Sequence, residues 1–173
     1  TNGTSWSTLL QISGTNKQWI AHTVDLTAYA GRTVWIRFSF DSIDGVNNRY
    51  RGWFVDDVDV VALQAPKTDV FYDSMESTTN WTADGLWRQT GSRSNALVSG
   101  TNRWVYNRSA VNTNYDTGAR TVGSLISRWI DLSDRSGATL TFSSWYSTED
   151  AGTSWDRKQV YVTTDGSTWT RVC

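Results

Sequence analysis

Most acidic side chains in this sequence are aspartates, and one adjacent pair stands where a carboxylate is costly to bury. Asp56 and Asp57 lie within a run of strand-forming residues. Alternation places Asp56 on the apolar face of that strand, with Phe54, Val58 and Val60. A carboxylate there must be paired, hydrogen-bonded or metal-bound, and calcium takes such oxygen ligands. Pairing with Arg51 or Arg37, or with backbone donors, is the alternative to a calcium site at Asp56 and Asp57.

Aromatic side chains form a second candidate site. The chain contains 11 tryptophans and 7 tyrosines, and Trp35, Trp145 and Tyr161 each lie opposite the apolar face of their strands. Such rings stack on the C–H faces of sugars, and Arg37 would donate hydrogen bonds to the hydroxyl groups. We therefore predict a carbohydrate platform at these four residues. Packing of the same rings against an adjacent unit is the alternative.

Charge and composition exclude several other functions. The balance of 16 basic and 17 acidic residues gives a formal charge of −1, which argues against a nucleic-acid partner. No apolar run approaches the roughly 20 residues of a membrane span, so we expect no membrane insertion. One cysteine and one histidine leave no zinc-ligand spacing. We assign no catalytic residue and expect no enzymatic activity.

Elements that position these residues are predicted to be strands. Trp, Tyr, Phe, Val and Thr favour pleated, half-buried surfaces, and no long segment shows helical periodicity. Alternation is clear in residues 34–40, where Val34, Ile36, Phe38 and Phe40 share one face. Similar strands are predicted at 18–24, 52–61, 69–75, 125–132, 139–146 and 158–163. This pattern predicts an all-β, antiparallel jelly-roll β-sandwich.

The two ends of the chain repeat one sequence pattern. Residues 164–172 run parallel to residues 1–9 at an offset of about 163 positions, with Gly and Trp in register. We interpret the chain as one period of a repeating array. The sole proline, Pro66, follows a predicted strand and cannot donate to a sheet ladder, which favours a boundary there.

Several segments carry a family resemblance. Residues 52–60 read Gly-Trp-Phe-Val-Asp-Asp-Val-Asp-Val, and residues 71–76 read Phe-Tyr-Asp-Ser-Met-Glu. The first resembles the closing strand, and the second the opening, of MAM-like and immune-inhibitor-A-like jelly rolls, a sandwich also seen in carbohydrate-binding modules. Residues 25–38 are similar to the strand before the closing one. The resemblance covers nearly the whole chain, in permuted order.

This permuted resemblance has structural implications. It implies that residues 1–63 form the C-terminal part of one jelly roll, residues 64–67 a linker, and residues 68–173 the N-terminal part of a jelly roll. The two parts either meet within one chain or are completed by neighbouring units, because unpaired sheet edges template association. In the family, a structural calcium links the closing and opening strands. The resemblance thus implies Asp73 and Glu76 as further calcium ligands.

We expect an extracellular or cell-surface module with a structural or adhesive role. Its expected partners are copies of itself or adjacent repeats, assembled head to tail by strand or half-domain exchange. One alternative is a carbohydrate-binding module of a secreted hydrolase, which would bind a polysaccharide. The other is an accessory domain of a secreted metalloprotease.

Overall fold

The structure, a computed structural model, describes residues 8–63, 68–91, 99–109, 114–149, 155–167 and 169–171. The regular secondary structure of these residues consists of strands and one short 3-10 helix, Thr27–Tyr29. The first strands are β1 (Thr8–Ile12), β2 (Asn16–Asp25), β3 (Thr33–Asp41) and β4 (Gly52–Ala62). The later ones are β5 (Thr68–Asp73), β6 (Trp81–Ala83), β7 (Trp87–Gly91), β8 (Asn102–Tyr106), β9 (Val122–Ser127), β10 (Ile130–Asp131), β11 (Ala138–Ser147), β12 (Arg157–Thr163) and β13 (Trp169–Arg171).

Two antiparallel sheets contain all these strands. Sheet A runs in the order β1-β12-β3-β9-β6, with β13 beside β12 and β10 beside β3. Sheet B runs β2-β11-β4-β8-β7, with β5 beside β4. The two sheets pack through their inner faces, which confirms the predicted all-β antiparallel sandwich. The jelly-roll order of winding stays a prediction.

Aromatic side chains join the two sheets in the core. Phe38 of sheet A contacts Phe142 and Trp53 of sheet B, with ring centres 5.0 and 5.8 Å apart. The predicted alternation of β3 is confirmed, because its four apolar residues are fully buried and the residues between them are half-buried. Full burial of each such side chain contributes roughly 2 kcal/mol to stability. The core therefore depends on strands from both parts of the chain.

Strands from the two predicted parts alternate within each sheet of this single chain. In sheet A, β12 lies between β1 and β3, and in sheet B, β11 lies between β2 and β4. β4 and β5 pair directly, with Ala62 opposite Thr68, so the predicted linker joins two neighbouring antiparallel strands. Linker residues 64–67, which include Pro66, lie outside the described residues, as do residues 1–7 and Cys173.

Candidate functional site

An irregularity in β4 sets the position of Asp56. The register between β4 and β11 shifts between the pairs Asp59–Thr141 and Asp56–Ser143, and Asp57 has a φ of +48°. Asp57 is therefore the extra residue of a β-bulge, which reverses the alternation of the strand. The predicted placement of Asp56 beside Val58 and Val60 is wrong for this reason. Those two valines belong to the core, whereas Asp56 lies on the outer face of sheet B.

Asp56 is nevertheless fully buried. Its Oδ1 accepts the backbone N–H of Asp57 at 3.0 Å, and its Oδ2 has no hydrogen-bond partner in the described structure. Burial first, and then the charge of Asp57, raise the pKa of Asp56 to about 7, against the opposing effects of its hydrogen bond from the Asp57 N–H and of the Arg103 cation. The cation whose charge acts on Asp56 is thus Arg103, and not Arg51 or Arg37 as the sequence suggested. Asp56 is the most strongly perturbed carboxylate of the predicted calcium set.

Asp73 and Asp57 already accept hydrogen bonds from protein donors. Asp73 Oδ1 accepts the Met75 N–H at 2.6 Å, and its Oδ2 accepts the Asn80 side-chain amide at 2.8 Å and the Trp81 indole N–H at 3.1 Å. The hydroxyl of Ser99 donates to Asp57 Oδ1. Only the Met75 N–H among these donors is a backbone group, so the bonds agree in part with the alternative of arginine or backbone pairing. Asp73 therefore fixes the turn that follows β5.

Glu76 has an equally complete set of donors. Its Oε1 accepts the backbone N–H groups of Thr101 and Asn102 at 2.7 and 2.9 Å. Its Oε2 accepts the Thr101 hydroxyl at 2.8 Å and the Asn102 amide at 3.2 Å. These bonds lower the pKa of Glu76, that from the Asn102 backbone most of all. Among the residues that the structure describes, no group of three or more His, Cys, Asp or Glu side chains is placed to hold a metal. Calcium stays a prediction.

Three of the predicted sugar-binding residues share the outer face of sheet A. The Arg37 guanidinium lies 4.3 Å from the centre of the Tyr161 ring, and Trp35 lies two positions from Arg37 in β3. Tyr161 is only 9% exposed, and its hydroxyl donates to Gln159 Oε1 at 2.6 Å. Burial lowers the pKa of Arg37 to about 10. The ring of Tyr161 is thus covered by Arg37 rather than open to a sugar.

Trp145 lies in the other sheet. It stands opposite Phe54 across β11 and β4, and the two rings meet edge to face with centres 5.1 Å apart. A separate cluster outside the main core consists of Phe54, Val105 and Trp145, with Trp19 packed against it. Trp145 is 5% exposed, so its ring is mostly packed. Trp145 therefore lies in a different sheet from Trp35 and Tyr161, and sugar binding by these residues stays a prediction.

A groove beside Trp145 is lined by further residues for which the sequence predicted no role in ligand binding. The loop between β3 and β4 brings Arg49, Tyr50 and Arg51 next to Lys17 of β2. The missed signal is the run Arg-Tyr-Arg directly after Asn47-Asn48, in a segment with no strand alternation. Charged and aromatic residues in loops carry no periodicity, so a search for alternating strands passes over them.

A buried polar cluster closes one end of the sandwich. Asp156 is fully buried, and its Oδ2 accepts the Tyr115 hydroxyl and the Glu149 N–H. Lys158, also fully buried, donates to the Thr148 hydroxyl at 2.8 Å and to the Asp156 carbonyl at 3.0 Å. Burial raises the pKa of Asp156 to about 6, although the Tyr115 hydrogen bond lowers it. These contacts order the loops around β12, although the buried Asp156 Oδ1 has no hydrogen-bond partner in the described structure.

The outer edge of β12 is shared by two strands from opposite ends of the chain. β1 and β13 both pair antiparallel with β12 and contact each other end to end. Tyr161 is the meeting point, because it pairs with Thr8 of β1 and with Arg171 of β13. On this edge, Lys158–Val160 of β12 pair with β1, and Val162 and Thr163 pair with β13.

Comparisons of the sequence with protein families and with curated proteins identify no relative. The described residues include no helix that is long and apolar enough to span a membrane. No protein-family model matches the chain. No curated protein matches its sequence either. The resemblance to MAM-like and immune-inhibitor-A-like jelly rolls stays a prediction.

Proposed function

We propose that this chain is a non-catalytic structural repeat of an extracellular or cell-surface protein, and that its copies associate by exchanging strand β1. The proposal rests on the shared edge of β12. The extracellular location rests on the family resemblance of the sequence. No reaction is part of the proposal.

The observation that best supports the proposal is that residues equivalent in the sequence repeat also occupy equivalent positions in the sheet. The offset of about 163 residues aligns Thr8 with Arg171. These two residues pair with the same partner, Tyr161, on the same edge. β1 therefore occupies the place that a continuation of β13 would fill, and its first residue, Thr8, aligns in the repeat with Arg171, the last residue of β13. This supports the interpretation of the chain as one period of an array.

Exchange of β1 between chains is possible because β1 of any copy fits the same edge of β12. Leu9 and Ile12 of β1 are buried in the core, so the sandwich loses apolar contacts when this edge is empty. The same contacts form whether β1 comes from its own chain or from another copy. Association through identical elements needs no new interface, which makes domain swapping a low-cost route to assembly. An exchange that does not close on itself produces a head-to-tail filament.

Mass in solution tests this proposal. The monomer is 19.5 kDa, and exchange predicts species at multiples of this mass that persist on dilution. Gln11→Pro removes a backbone donor from β1 where it pairs with Gln159, so it should reduce the assemblies to monomers. Gln11→Ala keeps the backbone donor and serves as the matched control. A wild-type protein that stays monomeric at every concentration after refolding contradicts the proposal.

A further inference from the structure

A groove at one end of sheet B contains an unusual concentration of positive charge. Its cavity has a volume of about 350 Å³ and is lined by Lys17, Arg49, Tyr50, Arg51, Trp145 and Ser147. A second cavity of about 490 Å³ adjoins it and shares Arg49 and Tyr50. The two cavities together form an extended groove along the loop between β3 and β4. A groove of this form suits a chain-like ligand better than a compact one.

Charge in the first cavity is of one sign. Three of its six lining residues are cations, and none of the six is a carboxylate. Asp116, which lines the second cavity, forms an ion pair with Arg49 at 3.3 Å, and Glu149 accepts from the Asn47 amide at 3.0 Å, so three cations and one carboxylate line the groove as a whole. The Arg49 side chain remains 87% exposed beside Asp116. Since the whole chain has a charge of −1, this clustering is local and favours an anionic ligand.

Two aromatic rings complete the groove. Tyr50 is 38% exposed, which makes its ring accessible to a ligand. Trp145 is packed against Phe54, and the Arg51 guanidinium lies 5.9 Å from the centre of the Trp145 ring. Trp145 therefore forms a fixed wall, while Tyr50 offers a surface on which the C–H face of a sugar ring can stack.

Hydrogen bonds hold the loop that presents these residues. The Asp44 carbonyl accepts the Ser42 hydroxyl at 2.8 Å and the Asn48 amide at 2.9 Å. Asp44 Oδ1 also accepts the Val46 N–H at 2.9 Å, and Asn48 is buried. A loop fixed by its own bonds loses little conformational entropy when a ligand binds. Arg49 and Tyr50 are thus positioned before binding.

We propose that this groove binds an acidic polysaccharide, with Tyr50 stacking on a sugar ring and Lys17, Arg49 and Arg51 contacting its carboxylate or sulfate groups. A neutral sugar would offer these three cations no group of opposite charge. A nucleic acid needs a broad basic surface, whereas a chain of charge −1 offers one short cationic groove. None of the lining residues belongs to β1, β12 or β13, so the site does not depend on strand exchange.

Binding to defined polymers tests the proposal. Polygalacturonate supplies carboxylates, dextran sulfate supplies sulfates, and dextran is the neutral reference. We expect wild-type protein to bind at least one acidic polymer, with an affinity that falls as sodium chloride is raised. Tyr50→Ala and Lys17→Ala should each weaken that binding by about tenfold or more, because each removes one stacking or ionic contact.

Matched controls separate the groove from general surface effects. Tyr72→Ala removes another exposed tyrosine, and Arg32→Ala removes an exposed cation at the opposite end of β3. Both should leave binding unchanged, and unfolding curves identify any variant that has lost its fold. Preference for the carboxylate or for the sulfate polymer identifies the recognised group, and either supports the proposal. Equal binding to dextran, tighter binding to a single-stranded oligonucleotide, or no effect of Tyr50→Ala would overturn it.

Discussion

At the scale of single residues, the bulge at Asp57 determines the chemistry of Asp56. Without the extra residue, Asp56 would point into the core beside Val58, as alternation predicts. With it, Asp56 is still buried, but it lies on the outer face of sheet B near Arg103. Bulges are read from backbone register, and nothing in Val-Asp-Asp-Val distinguishes a regular strand from a bulged one. The sequence therefore identified the costly carboxylate but not its surroundings.

Asp56→Asn tests the cost of this buried carboxylate. The pKa of Asp56 is raised from about 4 in the unfolded chain to about 7 in the folded one, so the folded state binds its proton more tightly. Stability from this group is therefore lost as pH rises from about 4 to 7. In metal-free buffer, Asp56→Asn should be more stable than wild type at pH 8, and the difference should shrink towards pH 5. Unfolding in urea at each pH measures it.

The difference in unfolding free energy between wild type and Asp56→Asn isolates the contribution of the Asp56 carboxylate. Asp156 has a raised pKa and His22 a lowered one, and both contribute equally to wild type and variant. Calcium addition then tests the metal prediction on the same pair. A bound cation would raise the unfolding temperature of wild type at pH 8 and not that of Asp56→Asn. A variant that is equally destabilised at every pH would contradict the account of Asp56.

At the scale of elements, strands with strict alternation were predictable and irregular ones were not. β3, β4, β11 and β12 appear close to their expected positions because each buries one face. The segment expected at 125–132 is divided into β9 and β10, and at the end of β9 the Ser127 hydroxyl accepts the Ile36 N–H. β6, β7 and β8 were missed, since short strands of mixed polarity carry little periodic signal. The loop with Arg49 and Tyr50 has no periodic pattern, so the sequence did not predict its role.

Gly52 is the element-scale residue with the clearest backbone requirement. It begins β4 with a φ of +92°, and a Cβ there would lie 2.0 Å from the Tyr106 carbonyl oxygen. Gly52→Ala should therefore lower the free energy of unfolding by more than about 2 kcal/mol. Gly118→Ala is the control, because Gly118 has a φ of +77° but nothing within 4 Å of its Cβ position. Its cost should be about 1 kcal/mol. Equal effects of the two substitutions, measured by urea unfolding, would refute the steric argument.

At the scale of the whole molecule, the order of strands is the main finding. The two parts of the chain, predicted as separate pieces of jelly rolls, interleave in both sheets. The sequence repeat indicated that the chain ends are equivalent, but strand neighbours depend on long-range pairing that no local pattern encodes. Only the structure puts β1 and β13 on one edge. Because β1 and β13 share this edge, the sequence repeat supports the proposal that copies of the chain assemble by exchanging β1.

Disulfide trapping between two chains tests strand exchange most directly. Gln11 and Gln159 stand opposite each other across β1 and β12, at a separation that suits a disulfide in antiparallel strands. One chain carries Gln11→Cys, a second of different tag length carries Gln159→Cys, and both carry Cys173→Ser. The two are refolded together, oxidised, and separated by non-reducing electrophoresis.

The account predicts a covalent heterodimer from this mixture. Thr82→Cys and Ile126→Cys, a facing pair within the second part of the chain, should give no heterodimer when treated in the same way. The contradicting result is equally clear. If Gln11→Cys and Gln159→Cys form a disulfide when both are on one chain, and none when they are on separate chains, β1 stays with its own chain and the exchange proposal is wrong.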